Sequence, residues 1–251
     1  MTLILAAYPA SAGLQASGVL LKRDVAPGDS FKHLITLSNT AANETSDVEI
    51  GIFGLGQSLD GSIAHLSVEQ DVSPYSASSF LNISNTTVHI ESNQSQTVTV
   101  NVQVPTDLGD GTRYAIIGAY VRPQGQATVV ATVGIDIPVL LTNSKSKNLI
   151  KSGNITEMNV TWPKISLIFN NTGNTYYKAF VTAILKDSVG NIEGSVSTPP
   201  SINSIISSYA KRFDVVFNLK DDLRPGSYIL KVSAKMEDGT VLDSKESTIK
   251  V

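Results

Sequence analysis

The sequence predicts an all-β protein made of two tandem immunoglobulin-like β-sandwich domains, and three observations carry that prediction. Two stretches end alike: residues 88–104 and residues 212–219 alternate with period two, stop at a Pro/Gly cluster, and are followed by a Tyr, Tyr114 or Tyr228, that opens the next run. Strands E and F of an immunoglobulin-like sandwich meet this way at the tyrosine corner. No long segment carries apolar residues at helical spacing. Between the two patterns, Thr142-Asn-Ser-Lys-Ser-Lys-Asn148 is polar and short, as interdomain linkers are. The expected layout is therefore a sandwich over residues 14–143 and a second over residues 149–251.

The first sandwich is readable run by run. Residues 16–25 supply an opening strand, ended by the turn Pro27-Gly28-Asp29. Residues 31–38 alternate, with Phe31, His33, Ile35 and Leu37 on one face and Lys32, Leu34, Thr36 and Ser38 on the other. After a turn at residues 39–43, residues 47–55 return with Val48, Ile50 and Ile52 facing one way. Residues 56–85 form a long connection without a strong period, containing Asp60-Gly61 and Ser73-Pro-Tyr-Ser-Ala77. A connection of that length is a natural seat for recognition, and its large apolar side chains, Tyr75 and Phe80, are the candidate binding residues. Covering the end of the sandwich is their bland role. Residues 88–104, 112–121 and 127–141 complete the domain, joined by Gly109-Asp-Gly111 and Pro123-Gln-Gly125.

The second sandwich restarts the pattern with runs over residues 150–161, 164–170, 176–186 and 191–197, the third and fourth joined by a turn at residues 187–190. Pro199-Pro200 breaks the chain before the run at residues 212–219. Residues 227–236 then pair across Glu237-Asp-Gly239 with residues 241–251, and that Asp-Gly is the strongest hairpin signal in the chain. Trp162, the sole Trp, and Tyr176-Tyr177 belong to this core or its rim.

Composition mostly excludes. With 251 residues and 41% hydrophobic content the chain can fill two cores, and a net charge of -3 with both signs interspersed offers no basic patch for nucleic acid or anionic lipid. The absence of cysteine removes thiol catalysis, Cys-ligated zinc and a disulfide framework together. At the N-terminus, residues 1–12 read as a signal-peptide remnant, an apolar run and Pro9 followed by Ala10-Ser-Ala12, the small-x-small pattern of a cleavage site. No other window approaches the ~18 apolar residues of a spanning helix, so membrane association is expected only through an anchor outside this chain. Asn43, Asn82, Asn85, Asn93, Asn154, Asn159 and Asn170 begin Asn-x-Ser/Thr sequons, most of them expected in polar turns, and are the candidate glycosylation sites. The expected location is extracellular, in the cell envelope.

Several motifs are similar to those of the WxL-interacting proteins of Gram-positive cell surfaces. In the first domain these are Pro27-Gly28, Asn39, Asp60-Gly-Ser-Ile-Ala-His65, residues 88–105 and Gly111-Thr-Arg-Tyr-Ala-Ile-Ile-Gly118. In the second they are Phe169-Asn-Asn-Thr-Gly-Asn174, residues 202–217 and Leu223-Arg-Pro-Gly-Ser-Tyr228. The resemblance covers nearly the whole chain and implies a surface protein with a peptidoglycan-binding first domain and a host-binding second one. The C-terminal membrane helix of that family has no counterpart here.

Catalysis finds no arrangement of residues to carry it. His33, His65 and His89 lie on different runs with no second His four residues on, and a strand His is usually a packing residue. Ser144-Lys-Ser-Lys147 and Ser208-Tyr-Ala-Lys211 match Ser-x-x-Lys but fall in a linker and a strand, where no helix brings Lys beneath Ser. Gly54-Leu-Gly56 lacks the rest of a dinucleotide fingerprint. Asp107, Asp110, Asp221 and Asp222 place carboxylates in turns, the ligand type for calcium, but form no ligand loop. No cofactor or metal is expected, and the chain is read as a non-enzyme. A glycan hydrolase would need two positioned carboxylates that the sequence does not identify. The expected function is binding, adhesion or scaffolding toward a cell-wall polymer or surface protein. The alternative is a pilus-chaperone-like protein that caps subunits by strand pairing. It draws on the basic Lys22-Arg23 in the opening strand and on Val129, Ala131, Val133, Ile135, Ile137 and Val139, which alternate near the end of the first domain.

Overall fold

Alternation with period two becomes strand throughout the molecule. The computed structural model describes residues 13–121, 134–219 and 223–250, and among these there are seventeen strands and one short 3-10 turn, Ser78–Phe80, but no α-helix. The protein is all-β, with two immunoglobulin-like sandwiches in tandem. By its contacts the chain divides into one compact unit of Met1–Gly54, Ser76–Leu108 and Arg113–Ser144, and a second of Leu55–Tyr75, Gly109–Thr112 and Lys145–Val251. The expected signal remnant, residues 1–12, lies outside the described residues, as do Pro123-Gln-Gly125 and Asp221-Asp222.

The strands of the first half are β1 (Leu14–Ser17), β2 (Leu21–Val25), β3 (Ser30–Asn39), β4 (Ser46–Gln57), β5 (Ile63–Leu66), β6 (Leu81–Ile83), β7 (Thr87–Ile90), β8 (Ser95–Gln103), β9 (Thr112–Val121) and β10 (Gly134–Asn143). They form a four-stranded sheet, β1-β3-β8-β6, and a six-stranded sheet, β2-β10-β9-β4-β5, with β7 also on β4. Alternation sends Ile35 and Leu37 of β3, Val98, Val100 and Val102 of β8, and Ile137, Val139 and Leu141 of β10 into one core between the sheets. His33 and Phe31 share the inward face of β3 as expected, both half-buried.

Two expected strands and one expected connection come out differently. Residues 16–25 are not one strand: β1 pairs antiparallel with β3, β2 pairs parallel with β10, and Gly18 between them takes φ 74. A Cβ there would come within 2.3 Å of the Leu34 carbonyl oxygen, so only glycine lets the chain cross between the sheets at this point. Residues 88–104 likewise divide, β7 joining the six-stranded sheet and β8 the four-stranded one. The connection at residues 56–85 is not irregular throughout: β4 runs on to Gln57, β5 pairs back on it, and β6 pairs with β8.

The second half holds β11 (Gly153–Thr161), β12 (Lys164–Asn171), β13 (Ala179–Lys186), β14 (Ile192–Ser197), β15 (Ala210–Val216), β16 (Ser227–Met236) and β17 (Val241–Lys250). Their sheets are β11-β12-β15 and β14-β13-β16-β17. Phe169, Leu167, Val181, Leu185, Phe213, Leu230 and Val232 fill the core between them. The expected Asp-Gly hairpin joins β16 to β17, with Gly239 at φ 87. Tyr228 is buried and its hydroxyl donates to the Arg224 carbonyl at 2.8 Å, while Tyr114 is also buried and its carbonyl accepts from the Ala77 N–H at 2.8 Å. Trp162 sits half-buried at the rim of this core, its ring 5.2 Å from that of Phe217. Tyr177 is buried and donates its hydroxyl to the Ser152 carbonyl, and burial raises its pKa.

Candidate binding surface beside strand β10

The opening strand's change of sheet decides what happens at β10. β2 pairs with β10 from Val139 opposite Leu21 to Asn143 opposite Val25, and the Ser144 N–H continues the ladder to the Val25 carbonyl at 2.8 Å. Counting back by twos, residues 142, 140, 138, 136 and 134 send their backbone groups to the β2 side. The first pair is at Val139, so residues 134–138 lie ahead of β2's register. Pro138, which has no N–H to donate, stands where that register begins, the position a proline takes on an edge strand. Val19 and Leu20, 43% and 53% exposed, lead the chain into β2 at the same place.

Inside, β10 presents Ile135, Ile137, Val139 and Leu141 to the first core, with Ile135 half-buried and the other three fully buried. The alternation that suggested a subunit-capping strand is thus used by the domain's own core from Ile135 onward; Val129, Ala131 and Val133 lie outside the described residues. On the outer face, the Tyr120 ring lies across Gly118 and Gly134, where a Cβ would approach ring atoms to 2.5 Å and 2.2 Å respectively. Its hydroxyl donates to Asp136 Oδ1 at 2.7 Å, and its edge meets the Phe53 ring with centroids 6.3 Å apart. Burial foremost, and then the Asp136 carboxylate, raise the Tyr120 pKa.

Tyr75 and Phe80 do not come together as a pair of exposed anchors. Phe80 is half-buried and packs against the first core, while Tyr75 is half-buried at the end of the segment grouped with the second unit. Most of that segment is held by hydrogen bonds within the second unit. The Gln57 side chain donates to the Ser204 carbonyl at 2.9 Å, Asn203 to the Gly61 carbonyl at 3.2 Å, and the Arg212 N–H to the Leu59 carbonyl at 2.7 Å. At the tip, Asp60 accepts from the Ser58 hydroxyl and the Ser62 N–H, which bring its pKa down to about 2. Residues 57–61 are therefore tied to residues 203–212.

The sequons divide by environment. Asn43, Asn85 and Asn93 lie in exposed turns, Asn82 is exposed on β6, and Asn154 and Asn159 are exposed on β11, an outer strand of its sheet. Asn170 is half-buried on β12, which has β11 on one side and β15 on the other, a position with little room for a glycan. Fewer of them occupy turns than expected, because polar residues also fill the solvent faces of strands.

The remaining chemistry-bearing residues stay apart. His33 Nε2 donates to the Gly18 carbonyl at 2.8 Å and His65 is half-buried on β5. His89, exposed on β7, lies 2.6 Å from Asp47 and 3.4 Å from Glu91. Among the described residues no group of three or more His, Cys, Asp or Glu is placed to hold a metal ion. Asp110 accepts from the Lys147 N–H, as acidic turn residues do, and both Ser-x-x-Lys matches lack the helix such a pair needs. Sequence reasoning passed over Gly18 and Pro138, although a proline inside an apolar strand pattern is itself a signal of an edge.

No family model matches this chain, and no curated protein matches it. Similar folds occur among solved structures. The class 5 fimbriae chaperone CfaA shares 14% identity with a TM-score of 0.43, covering 95% of this chain and 99% of its own. The YadV chaperone shares 12% with a TM-score of 0.44, covering 94% and 100%, and the Escherichia coli chaperone DraB shares 12% with a TM-score of 0.40, covering 94% and 96%. At these scores no residue role or partner passes from them to this chain.

Proposed function

We propose that this chain is a non-catalytic binding protein of the space outside the cytoplasm that takes an extended segment of a partner protein along the first half of β10. The observation that carries the reading is the register of β2, which covers β10 from Val139 onward and leaves residues 134–138 ahead of it. An extended chain continuing the line of β2 would gain main-chain hydrogen bonds there, the mode of recognition called β-augmentation. The apolar Val19 and Leu20 at the start of β2 support the same surface. This is the strand-pairing alternative drawn from the sequence, moved from the apolar alternation of β10 to its backbone edge.

The test is crosslinking from β10. A photoreactive amino acid at Asp136 of the secreted full-length protein should capture a partner protein through an extended segment, and the same group at Thr248 on β17 should not. Equal capture from both positions would sink the reading. As to lineage, we also propose membership of the WxL-interacting family, since Asn39 and residues 169–174, which carry that resemblance, build matching corners in the two domains. WxL-domain genes beside this one would support it, and their absence from the neighbourhood in every related genome would count against it.

A further inference from the structure

We propose that Asn82, Asn154 and Asn159 are N-glycosylated and that their glycans keep two sheet edges from pairing with another chain. Only the location outside the cytoplasm is shared with the reading above. Among the described residues, β6 and β11 each have a neighbour on one side only, β6 on β8 and β11 on β12. An edge strand offers a row of N–H and C=O groups to any strand that comes alongside, so natural sheets defend their edges. Here the defences differ from strand to strand. β2, β15 and β17 are also edges and carry basic residues, Lys22 and Arg23, Lys211 and Arg212, and Lys245 and Lys250; none of the three contains a sequon. β1 and β5 are only four residues long, and β14 has Glu193 beside Gly194. β11 is nine residues long and has no Lys, Arg or Pro. Its register shifts between Ile155 and Glu157, and a sequon stands on either side of that shift, at Asn154 and at Asn159. β6 is Leu-Asn-Ile, without charge, and its middle residue is the sequon Asn82.

All three asparagines are exposed, and so are Ser84, Thr156 and Thr161, the hydroxyl residues that complete their sequons. The modification is a group transfer: the side-chain amide nitrogen bonds to C1 of a sugar borne on a lipid diphosphate, the lipid diphosphate leaves, and the amide gives up one proton. A glycan is far bulkier than any side chain, and on these strands it stands at the margin of its sheet, where a second sheet extending the first would have to lie. Asn170 is different. It is half-buried on β12, between β11 and β15 and opposite Asn154, so a glycan there would defend no edge.

The test uses the full chain purified from the cells that make it, with the occupancy of each sequon read by mass spectrometry of its peptides. Glycan is expected on Asn82, Asn154 and Asn159 and not on Asn170. Bare asparagine at any of the three, or occupancy at Asn170 equal to theirs, overturns the assignment. Crosslinking from Asp136 does not depend on that result, so the two proposals fail separately. The edge role is read by sedimentation velocity. Asn82→Gln, Asn154→Gln and Asn159→Gln together should let the protein self-associate at about tenfold lower concentration than the glycosylated parent, the change that one or two net main-chain hydrogen bonds give. A second set, Ser84→Ala, Thr156→Ala and Thr161→Ala, removes the same glycans while keeping the asparagines and should act alike. Thermal unfolding matched to the parent checks that each variant is folded. Asn43→Gln, Asn85→Gln and Asn93→Gln, which clear the sequons in turns, should leave self-association where it was. Folded edge variants that stay as monomeric as the parent, or turn variants that associate equally, overturn the edge role.

Discussion

The two sandwiches solve the same corner with nearly the same residues. In the first, Asn39 ends β3 buried, donates to the carbonyls of Glu44 at 2.7 Å and Ile90 at 3.2 Å, and accepts from the Ala41 N–H at 3.0 Å. In the second, Asn171 ends β12 buried, donates to the carbonyls of Thr175 at 2.9 Å and Ile205 at 2.8 Å, and accepts from the Gly173 N–H at 2.9 Å. The backbone N–H of each reaches the chain that enters the facing strand, at Gln94 and at Tyr209. The residue just before that acceptor is left-handed in both, Asn93 at φ 58 and Ser208 at φ 68. A short side chain with one acceptor and two donors satisfies three backbone groups that the turn would otherwise bury unpaired.

The differences lie in what surrounds the corner. The first unit approaches it through β7, a four-residue strand on β4 that carries the His89–Asp47 pair; the second has, among the described residues, an isolated bridge between Tyr177 and Ile205. The first strand also differs. β11 stays with β12 along its whole length and absorbs irregularity as a register shift between Ile155 and Glu157, whereas the corresponding chain in the first unit changes sheets at Gly18. One local choice, a bulge or a crossing, thus decides whether the opening strand stays in one sheet or also pairs with the last strand of the sandwich.

The largest expected effect is at the corners. Asn171→Ala should destabilise the second unit by about 4 kcal/mol, since it leaves two carbonyls and an N–H without their partner. Asn39→Ala should cost the first unit less, about 3 kcal/mol, because its longer bond at 3.2 Å is weaker. Trp162, the sole Trp, reports urea unfolding of the second unit, and hydrogen exchange on β8 amides reports the first. If Asn39→Ala proved harmless, the equivalence of the corners would fail.

Next comes the crossing. Gly18→Ala should cost about 3 kcal/mol, from positive φ and the approach to the Leu34 carbonyl, and should release β2 amides to exchange before those of β3. An alanine variant with unchanged exchange at residues 21–25 would show that the crossing tolerates a side chain.

A smaller effect separates the two left-handed residues. Asparagine adopts this conformation more readily than serine, so Ser208→Gly should stabilise the second unit by about 0.5 kcal/mol, while Asn93→Gly should change the first by less. Matching gains at both positions in denaturant titrations would break the distinction.

The smallest is electrostatic. The hydrogen bond to Asp47 raises the His89 pKa above 6.5, so its contribution to folding is fully present below pH 6.5 and is lost as pH rises through the folded-state pKa. His89→Gln should therefore lower the thermal midpoint of the first unit at pH 5.5 and change it little at pH 9. A constant difference across that range would remove the charge from the account.

Much of this was legible in the residues. Alternation alone assigned the inward face of β3 and the apolar face of β10, Asp238-Gly239 marked its hairpin, and Tyr228 announced the corner it makes with Arg224. These are consequences of local geometry: side chains on a strand alternate, and certain turns accept only certain residues. The candidate site was less legible. Tyr75 and Phe80 were singled out because residues 56–85 lack a period, but a missing period does not distinguish a binding loop from a segment that pairs elsewhere. Which sheet each half of a run joins, why residues 57–61 bond to residues 203–212, and where β2 stops along β10 were decided only by the tertiary structure. Those outcomes depend on long-range backbone pairing, and a strand's own alternation says which face is buried without saying which neighbour lies at either edge.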